Sequence, residues 1–306
     1  MNASQEILAV PSTASLSARL NHHTDRWRQR AFSGLFHNLM RMQALEVEVE
    51  GMRIPYLSAG QGRALILLHG FADQKETWGL LAPWLSKRRR VIALDLPGYG
   101  ETDSIDPTSA TLSAQARLVM AFLDKLGLEG SVDVCGNSMG GGVALRLAQL
   151  APDRVRSLIL MASMGPTLED SELKRRIDAG NNPLLPTNFD EYDDMLAFIF
   201  ERPPLMPGAL RRHMARRHIA RRDDFSAQFD QIIDGVPDQY DVIKAPTLVI
   251  HGLHDRLIPA STGRALAARL PDARLMLIED IGHAPQWEAP RRTLFAMERF
   301  FKQHCL

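Results

Sequence analysis

Only two cysteines, Cys135 and Cys305, occur in the 306 residues. One lies inside an apolar run and the other is next to the C-terminal residue, which argues against a disulfide framework and points to a reducing compartment. Net charge is also missing. Lys plus Arg and Asp plus Glu number 36 each, so nothing draws the chain electrostatically to nucleic acid, and none is expected as a partner. No apolar run approaches the roughly 20 residues that a membrane-spanning helix needs. The opening, MNASQEILAVPSTASLSARL, has no basic segment ahead of a continuous apolar stretch, so it does not read as a secretory signal. Metal-ligand spacing, a phosphate-cradling glycine loop and internal repeats are absent too, and no metal or cofactor is expected. What these absences leave is a soluble, cytoplasmic protein.

What is present is a rhythm of short apolar runs. ALILLHG (64–70), RVIALDLPG (90–98), SVDVCGNS (131–138), VRSLILMAS (155–163), PTLVIHGLHD (246–255) and ARLMLIED (273–280) read as buried strands. Near-continuous apolar character suits a sheet covered on both faces. Helical patterns lie between them, as in 111–128, where Leu112, Ala116, Val119, Phe122 and Leu126 share one stripe. Residues 45–60 alternate and predict an antiparallel hairpin at the sheet edge. Strand–helix alternation with right-handed crossovers implies an α/β fold with a mostly parallel, doubly wound sheet. From Pro166 to about Lys244 the pattern turns helical between proline-marked loops, too long for a connection, so 166–244 is predicted to be an inserted helical cap. The core then comprises 45–165 and 245–306, with 1–44 as an N-terminal extension.

The stretch DVCGNSMGGG (133–142) sets four glycines around Ser138. A serine at the tip of a tight strand-to-helix turn is strained, with its hydroxyl exposed above the sheet edge. Side chains two residues before and two after it would collide with neighbouring backbone, and those positions are Gly136 and Gly140. Gly141 and Gly142 would let the following helix lie close to the sheet. A serine hydroxyl needs a base, and the base an acid that fixes its tautomer. In a parallel sheet such groups converge beyond the carboxyl ends of strands. Two later strands end suitably, LVIHGLHDRLIP with Asp255 and LMLIEDIGHAPQWEAP with His283. The order Ser138, Asp255, His283 is the nucleophile–acid–base order of one particular fold. An oxyanion also needs two backbone N–H donors. Met139, opening a helix, offers one, and Phe71, just past His69-Gly70, offers the other. His69 and Asp95 read as loop braces, and His254, Glu279 and Asp280 as bystanders.

On these residues the chain resembles the serine α/β-hydrolases across about 45–303. HGF, DLPGYG, GNSMGG, GLHDRLIP and GHAPQWEAP match that family's pattern in sequence and order. Within the family it is most similar to monoacylglycerol-lipase-like enzymes and related bacterial lipases and esterases, through GNSMGGGVA and NPLLPTNFDEYDDML. The resemblance implies a carboxylic ester hydrolase acting on lipid-type acyl esters, with Ser138, Asp255 and His283 as its triad and Phe71 and Met139 as oxyanion donors. GNSMGG also resembles C–C hydrolases of aromatic ring-fission products, although this chain has HGFADQ where they carry a glycine-rich HGGGPG loop. A triad-retaining binding protein is a third reading. Haloalkane dehalogenases and epoxide hydrolases place aspartate where Ser138 stands and are excluded.

Two further patterns bear on substrate and partners. In TNFDEYDDMLAFIF, a capping signal from Thr187 to Asp190 precedes Phe189, Tyr192, Met195, Leu196 and Ile199, which could line an acyl tunnel. Packing of the cap onto the body explains the same face. In LRRHMARRHIARRDD (210–224), six arginines fall on all sides of a helical wheel and read as a solvated face, or as an attraction for anionic headgroups. In 26–42, Trp27, Ala31, Phe32, Leu35, Phe36, Leu39 and Met42 form an apolar face opposite Arg26, Arg30 and Arg41. That is the pattern of a peripheral helix on the inner membrane surface, and equally of packing on the domain or on a second subunit of a homodimer.

Overall fold

A computed structural model of the chain describes residues 40–103, 105–166, 171–233 and 239–304. Among them β1 (Gln43–Val49), β2 (Met52–Ala59), β3 (Ala64–Leu68), β4 (Arg90–Leu94), β5 (Val132–Asn137), β6 (Val155–Met161), β7 (Thr247–Gly252) and β8 (Ala273–Ile278) form one sheet. Their order is β1-β2-β4-β3-β5-β6-β7-β8. The β1–β2 and β2–β4 pairs are antiparallel and the remaining pairs parallel. The alternating segment is thus an edge hairpin, and each continuous apolar run is an inner or outer parallel strand.

The apolar runs are continuous because each strand feeds two cores. Ile66 and Leu68, Ile92 and Leu94, and Leu158 and Leu160 enter one; Leu65 and Leu67, Val91 and Ala93, and Ile159 and Met161 enter the other. This is the period-two alternation of a strand covered on both sides. The first face is covered by α2 (Leu112–Lys125), α3 (Met139–Leu150) and α8 (Ala260–Arg269), the second by α1 (Ala82–Leu85) and α10 (Pro290–His304). Leu112, Ala116, Val119 and Phe122 of α2 are all fully buried, and Thr111 caps that helix by accepting the Ala114 N–H at 3.2 Å. Each large aliphatic buried this way contributes about 2 kcal/mol. Cys135 lies in the second core, where burial pushes its thiol up and leaves it inert.

Between β6 and β7 the described residues form α4 (Glu172–Asp178), α5 (Phe189–Ile199), α6 (Gly208–Ala220) and α7 (Arg222–Ile233) and no strand. These helices are called the cap below. Its details correct the sequence reading in three places. Asn188 rather than Thr187 caps α5, accepting the Glu191 N–H at 3.0 Å, while Glu191 reaches back to the Thr187 N–H at 2.7 Å. The buried face of α5 is Tyr192, Met195 and Phe198, and Phe189 is exposed. The arginine-rich stretch breaks at Arg221 into two helices. Two of its arginines are only partly solvated. Arg217 donates to Gln74 and to the Gly100 carbonyl, and Arg221 to the Gly98 and Gly100 carbonyls, so they tie the cap to the loops after β3 and β4.

Of the 26–42 pattern, only residues 40–42 fall within the described residues. Met40 and Met42 are buried beside α1 and α10. No helix among the described residues is long and apolar enough to cross a membrane.

Candidate active site

Ser138 joins β5 directly to α3 at φ 56° and ψ −120°. That region is open to glycine and strained for an L residue. The surroundings fix it there. The Ser138 N–H donates to the Met161 carbonyl at 2.9 Å, and its own carbonyl accepts from Gly141, Gly142 and Met164. The flanking glycines are required by contact. A Cβ on Gly136 would strike the Gly140 carbonyl, and one on Gly140 would strike the carbonyls of Leu68 and His69. Gly141 abuts Ser163 and Gly142 abuts Leu112, so the last of the four admits α2 rather than the sheet. Gly140→Ala is therefore expected to push α3 away from the end of β3, costing about 3 kcal/mol in denaturant unfolding. In the same variant the turn and the loop after β3 should lose their alignment.

Asp255 and His283 arrive from the ends of β7 and β8. His283 Nδ1 lies 2.8 Å from Asp255 Oδ2, and both residues are buried. Asp255 Oδ1 accepts the N–H groups of Leu257 and Ile258 at 2.9 and 3.0 Å. Burial alone would raise this carboxyl, but the His283 charge and hydrogen bonds from His251 and His283 outweigh it and hold it well below the usual carboxylate range. It is ionised at every working pH. His283 therefore presents Nδ1–H to the acid and leaves Nε2 as an acceptor.

The loop after β3 closes on the serine from the other side. A Cβ on Gly70 would lie 3.3 Å from the Ser138 Cβ, which sets Phe71 beside the turn. Leu96 donates to His69 Nε2 at 2.9 Å, so His69 Nδ1 donates to the Gly70 carbonyl at 2.8 Å. With both nitrogens engaged, it braces the loop. Asp95 is a second brace, taking the Lys75 N–H and ammonium and the Glu101 N–H. The Phe71 ring packs edge-on against Phe225 and Phe229 of α7. Met139 opens α3, where the first amides have no partner within the helix. Phe71, Ser138 and Met139 line one pocket of about 580 Å³, its open mouth included.

The site's second half was partly hidden in the sequence. None of Phe189, Tyr192, Met195, Leu196 and Ile199 lines this pocket; its walls come from α4 (Leu173, Ile177), α7 (Phe229, Ile232) and Leu184. Tyr192 instead faces a second pocket with Asp73, Arg217 and His218, and Leu196 and Ile199 pack against the core. Ile199 still matters through its backbone, because its carbonyl accepts the His283 N–H at 2.9 Å. Asn137 donates to the Met161 carbonyl at 3.0 Å and reaches the His283 carbonyl at 3.4 Å, joining the serine turn to the histidine loop. Gln286 in turn donates to Asn137 at 3.1 Å. Glu288 accepts N–H groups of Glu201, Arg202 and Gly282, strapping the end of α5 to the same loop. His254, by contrast, lies at the surface near Glu201.

Known proteins resemble this chain in sequence and fold. Lipase 1 of Psychrobacter immobilis is 30% identical over 256 residues, covering 79% of this chain and 78% of that protein. The 2-hydroxy-6-oxo-6-phenylhexa-2,4-dienoate hydrolase of Burkholderia cepacia is 31% identical over 257 residues, covering 79% and 89%. Among solved structures, a membrane phospholipase A described as a novel bacterial virulence factor superposes with a TM-score of 0.86 at 28% identity, over 95% of each chain. The family model for the alpha/beta hydrolase fold matches residues 63–290, from the strand that leads into the Phe71 loop to the helix beyond His283. The chain belongs to the alpha/beta hydrolase family.

Proposed function

We propose that the protein hydrolyses carboxylic esters of apolar, lipid-type acyl groups through a Ser138–His283–Asp255 triad. The observation that carries this reading is the chemistry of the pocket beside Ser138. Its walls are Phe71, Met139, Met164, Leu173, Ile177 and their apolar neighbours, and among the described residues the only charged side chain lining it, Lys174, is already paired with Asp178. Such a wall suits an alkyl chain. The B. cepacia relative is named for a dienoate, which is a carboxylate anion. Burying an anion among apolar side chains without a free cation costs several kcal/mol.

In this reading His283 Nε2 takes the Ser138 hydroxyl proton as Oγ attacks the ester carbonyl. The oxyanion forms between the Phe71 and Met139 N–H groups, which are fixed before reaction and so need no reorganisation. Collapse breaks the bond to the alkoxy oxygen, which leaves with the proton from His283 as the alcohol. A water then gives its proton to His283, attacks the acyl-serine, and releases the acid with Ser138 restored. The Asp255–His283 bond and the apolar wall support these roles.

A series of p-nitrophenyl esters of rising chain length, run beside a ring-fission dienoate, tests the reading. Each added methylene should raise kcat/KM about 3- to 4-fold until the pocket fills, with the dienoate at least about 100-fold slower than the best ester. Faster cleavage of the dienoate would replace the ester reading with C–C hydrolysis. Binding of esters without sustained turnover would point to a triad-retaining binding protein.

A further inference from the structure

Asp255 has a second imidazole. His251, four residues earlier on β7, is fully buried, and its Nε2 lies 2.8 Å from the Ile258 carbonyl and 3.3 Å from Asp255 Oδ2. Both partners can only accept, so Nε2 carries the proton. Nδ1 meets no hydrogen-bond partner among the described residues and faces Gly263 of α8, where even a Cβ would lie 2.8 Å away. An N–H on that side would have no acceptor, so the neutral ring is the Nε2–H tautomer. Asp255 Oδ2 is therefore shared between two imidazole donors, His283 and His251, while Oδ1 is saturated by two backbone amides.

We propose that His251 is a positioning residue for the Asp255–His283 pair, and that its hydrogen bond draws charge away from His283 and so sets the pH at which hydrolysis switches on. The inference rests on the triad reading above. The physical basis is competition for one oxygen. Every donor to a carboxylate spreads its negative charge, and what His251 withdraws is unavailable to the imidazolium that forms as Ser138 is deprotonated. The other charged and titratable groups around the pair are already committed. Glu288 holds the backbone of Gly282 and Glu201, and Glu201 pairs with Arg256 at 2.6 Å and with His254 at 3.4 Å. Among the described residues, His251 is the only other titratable side chain that touches the carboxylate His283 uses. The loop between them is also short. His251 spans back to the Ile258 carbonyl, clamping the turn that carries Asp255 so that Oδ2 faces the histidine.

The test compares the wild-type chain with His251→Leu, which removes the donor, and His251→Gln, which returns an N–H near the Nε2 position. Each is assayed for kcat/KM against pH on one p-nitrophenyl ester, with Ser138→Ala and His283→Gln as references. Removing the donor concentrates charge on His283's side and strengthens the proton's hold there. His251→Leu should thus move the ascending limb to higher pH by about half a unit or more, and kcat should fall about 10-fold through a looser carboxylate. His251→Gln should return the limb most of the way. An unmoved limb in a folded His251→Leu protein, or equal shifts in both variants, would overturn the proposal. The wild-type chain supplies a measurement that no folding defect can block: nitrogen NMR of labelled histidines, with the His251 ring assigned through its own backbone, should show that ring in the Nε2–H tautomer. A His251 ring that holds its proton on Nδ1 counts equally against it. If Ser138→Ala and His283→Gln keep the esterase, the triad reading fails; if they lose it and His251→Leu behaves as wild type, only the role of His251 fails.

Discussion

Ser138→Ala is expected to lower kcat/KM for p-nitrophenyl esters by about 10⁴-fold or more while the protein stays folded. The size follows from what the hydroxyl alone supplies. Phe71 and Met139 would still face a carbonyl and the apolar walls would still hold an acyl chain, but no covalent intermediate could form. A buried-site variant usually confounds activity with stability, and here the two separate. Alanine keeps the strain of φ 56°, whereas Ser138→Gly relieves it. Both variants should be inactive, with glycine the more stable by roughly 1 kcal/mol, read as a small rise in Tm. Sustained ester turnover in either protein would remove Ser138 from the chemistry.

Asp255→Asn is expected to cost about 10³- to 10⁴-fold in kcat. All four partners of this carboxylate are donors: two backbone N–H groups on one oxygen, His283 and His251 on the other. An amide must turn its NH2 toward one pair. Facing the amides, it buries opposed N–H groups. Facing the histidines, it asks His283 to accept through Nδ1, which puts the proton on Nε2, where Ser138 needs a free lone pair. The clash of donors in the first orientation favours the second, and in the second the base is lost.

The same substitution has a signature in acid. The folded carboxyl lies below its ordinary value, so its ionised form contributes stability above the unfolded value near 3.9, and that contribution is lost as pH falls from there toward the folded value. Asparagine has no such dependence. The stability gap between wild type and Asp255→Asn should stay level from pH 8 to about 5 and narrow below about pH 4 in urea unfolding. A gap that widened in acid would show that the carboxyl is not held down in the folded state.

The parts of this site that were legible in the sequence are those where a local backbone demand coincides with a strand end. Gly136 and Gly140 announce Ser138 because their neighbours are a few residues away or one strand over, and Asp255 and His283 follow their strands at once. The roles of His69 and Asp95 as braces were legible for the same reason. Glu288 was not. Its carboxylate collects amides from residues 201, 202 and 282, and nothing near position 288 says that the end of α5 will be there to meet it. His251 is not legible as part of the site, because in LVIHGLHD it sits within an apolar run and reads as one more buried strand position.

The sequence by itself determined the sheet, its two faces and the cap's helical character, and it marked Ser138, Asp255 and His283 as the candidate nucleophile, acid and base. Period-two burial and strained turns are local properties that each segment writes in its own residues. Only the tertiary structure decided which cap helices wall the pocket. A turn of α5 by about one residue buries Tyr192, Met195 and Phe198 in place of the face led by Phe189, and a broad apolar stripe does not specify rotation that finely. The tertiary structure also turned Arg217 and Arg221 from a solvated face into a tie between cap and body. An arginine's fate depends on which carbonyls lie within reach, and those carbonyls belong to a loop more than a hundred residues away.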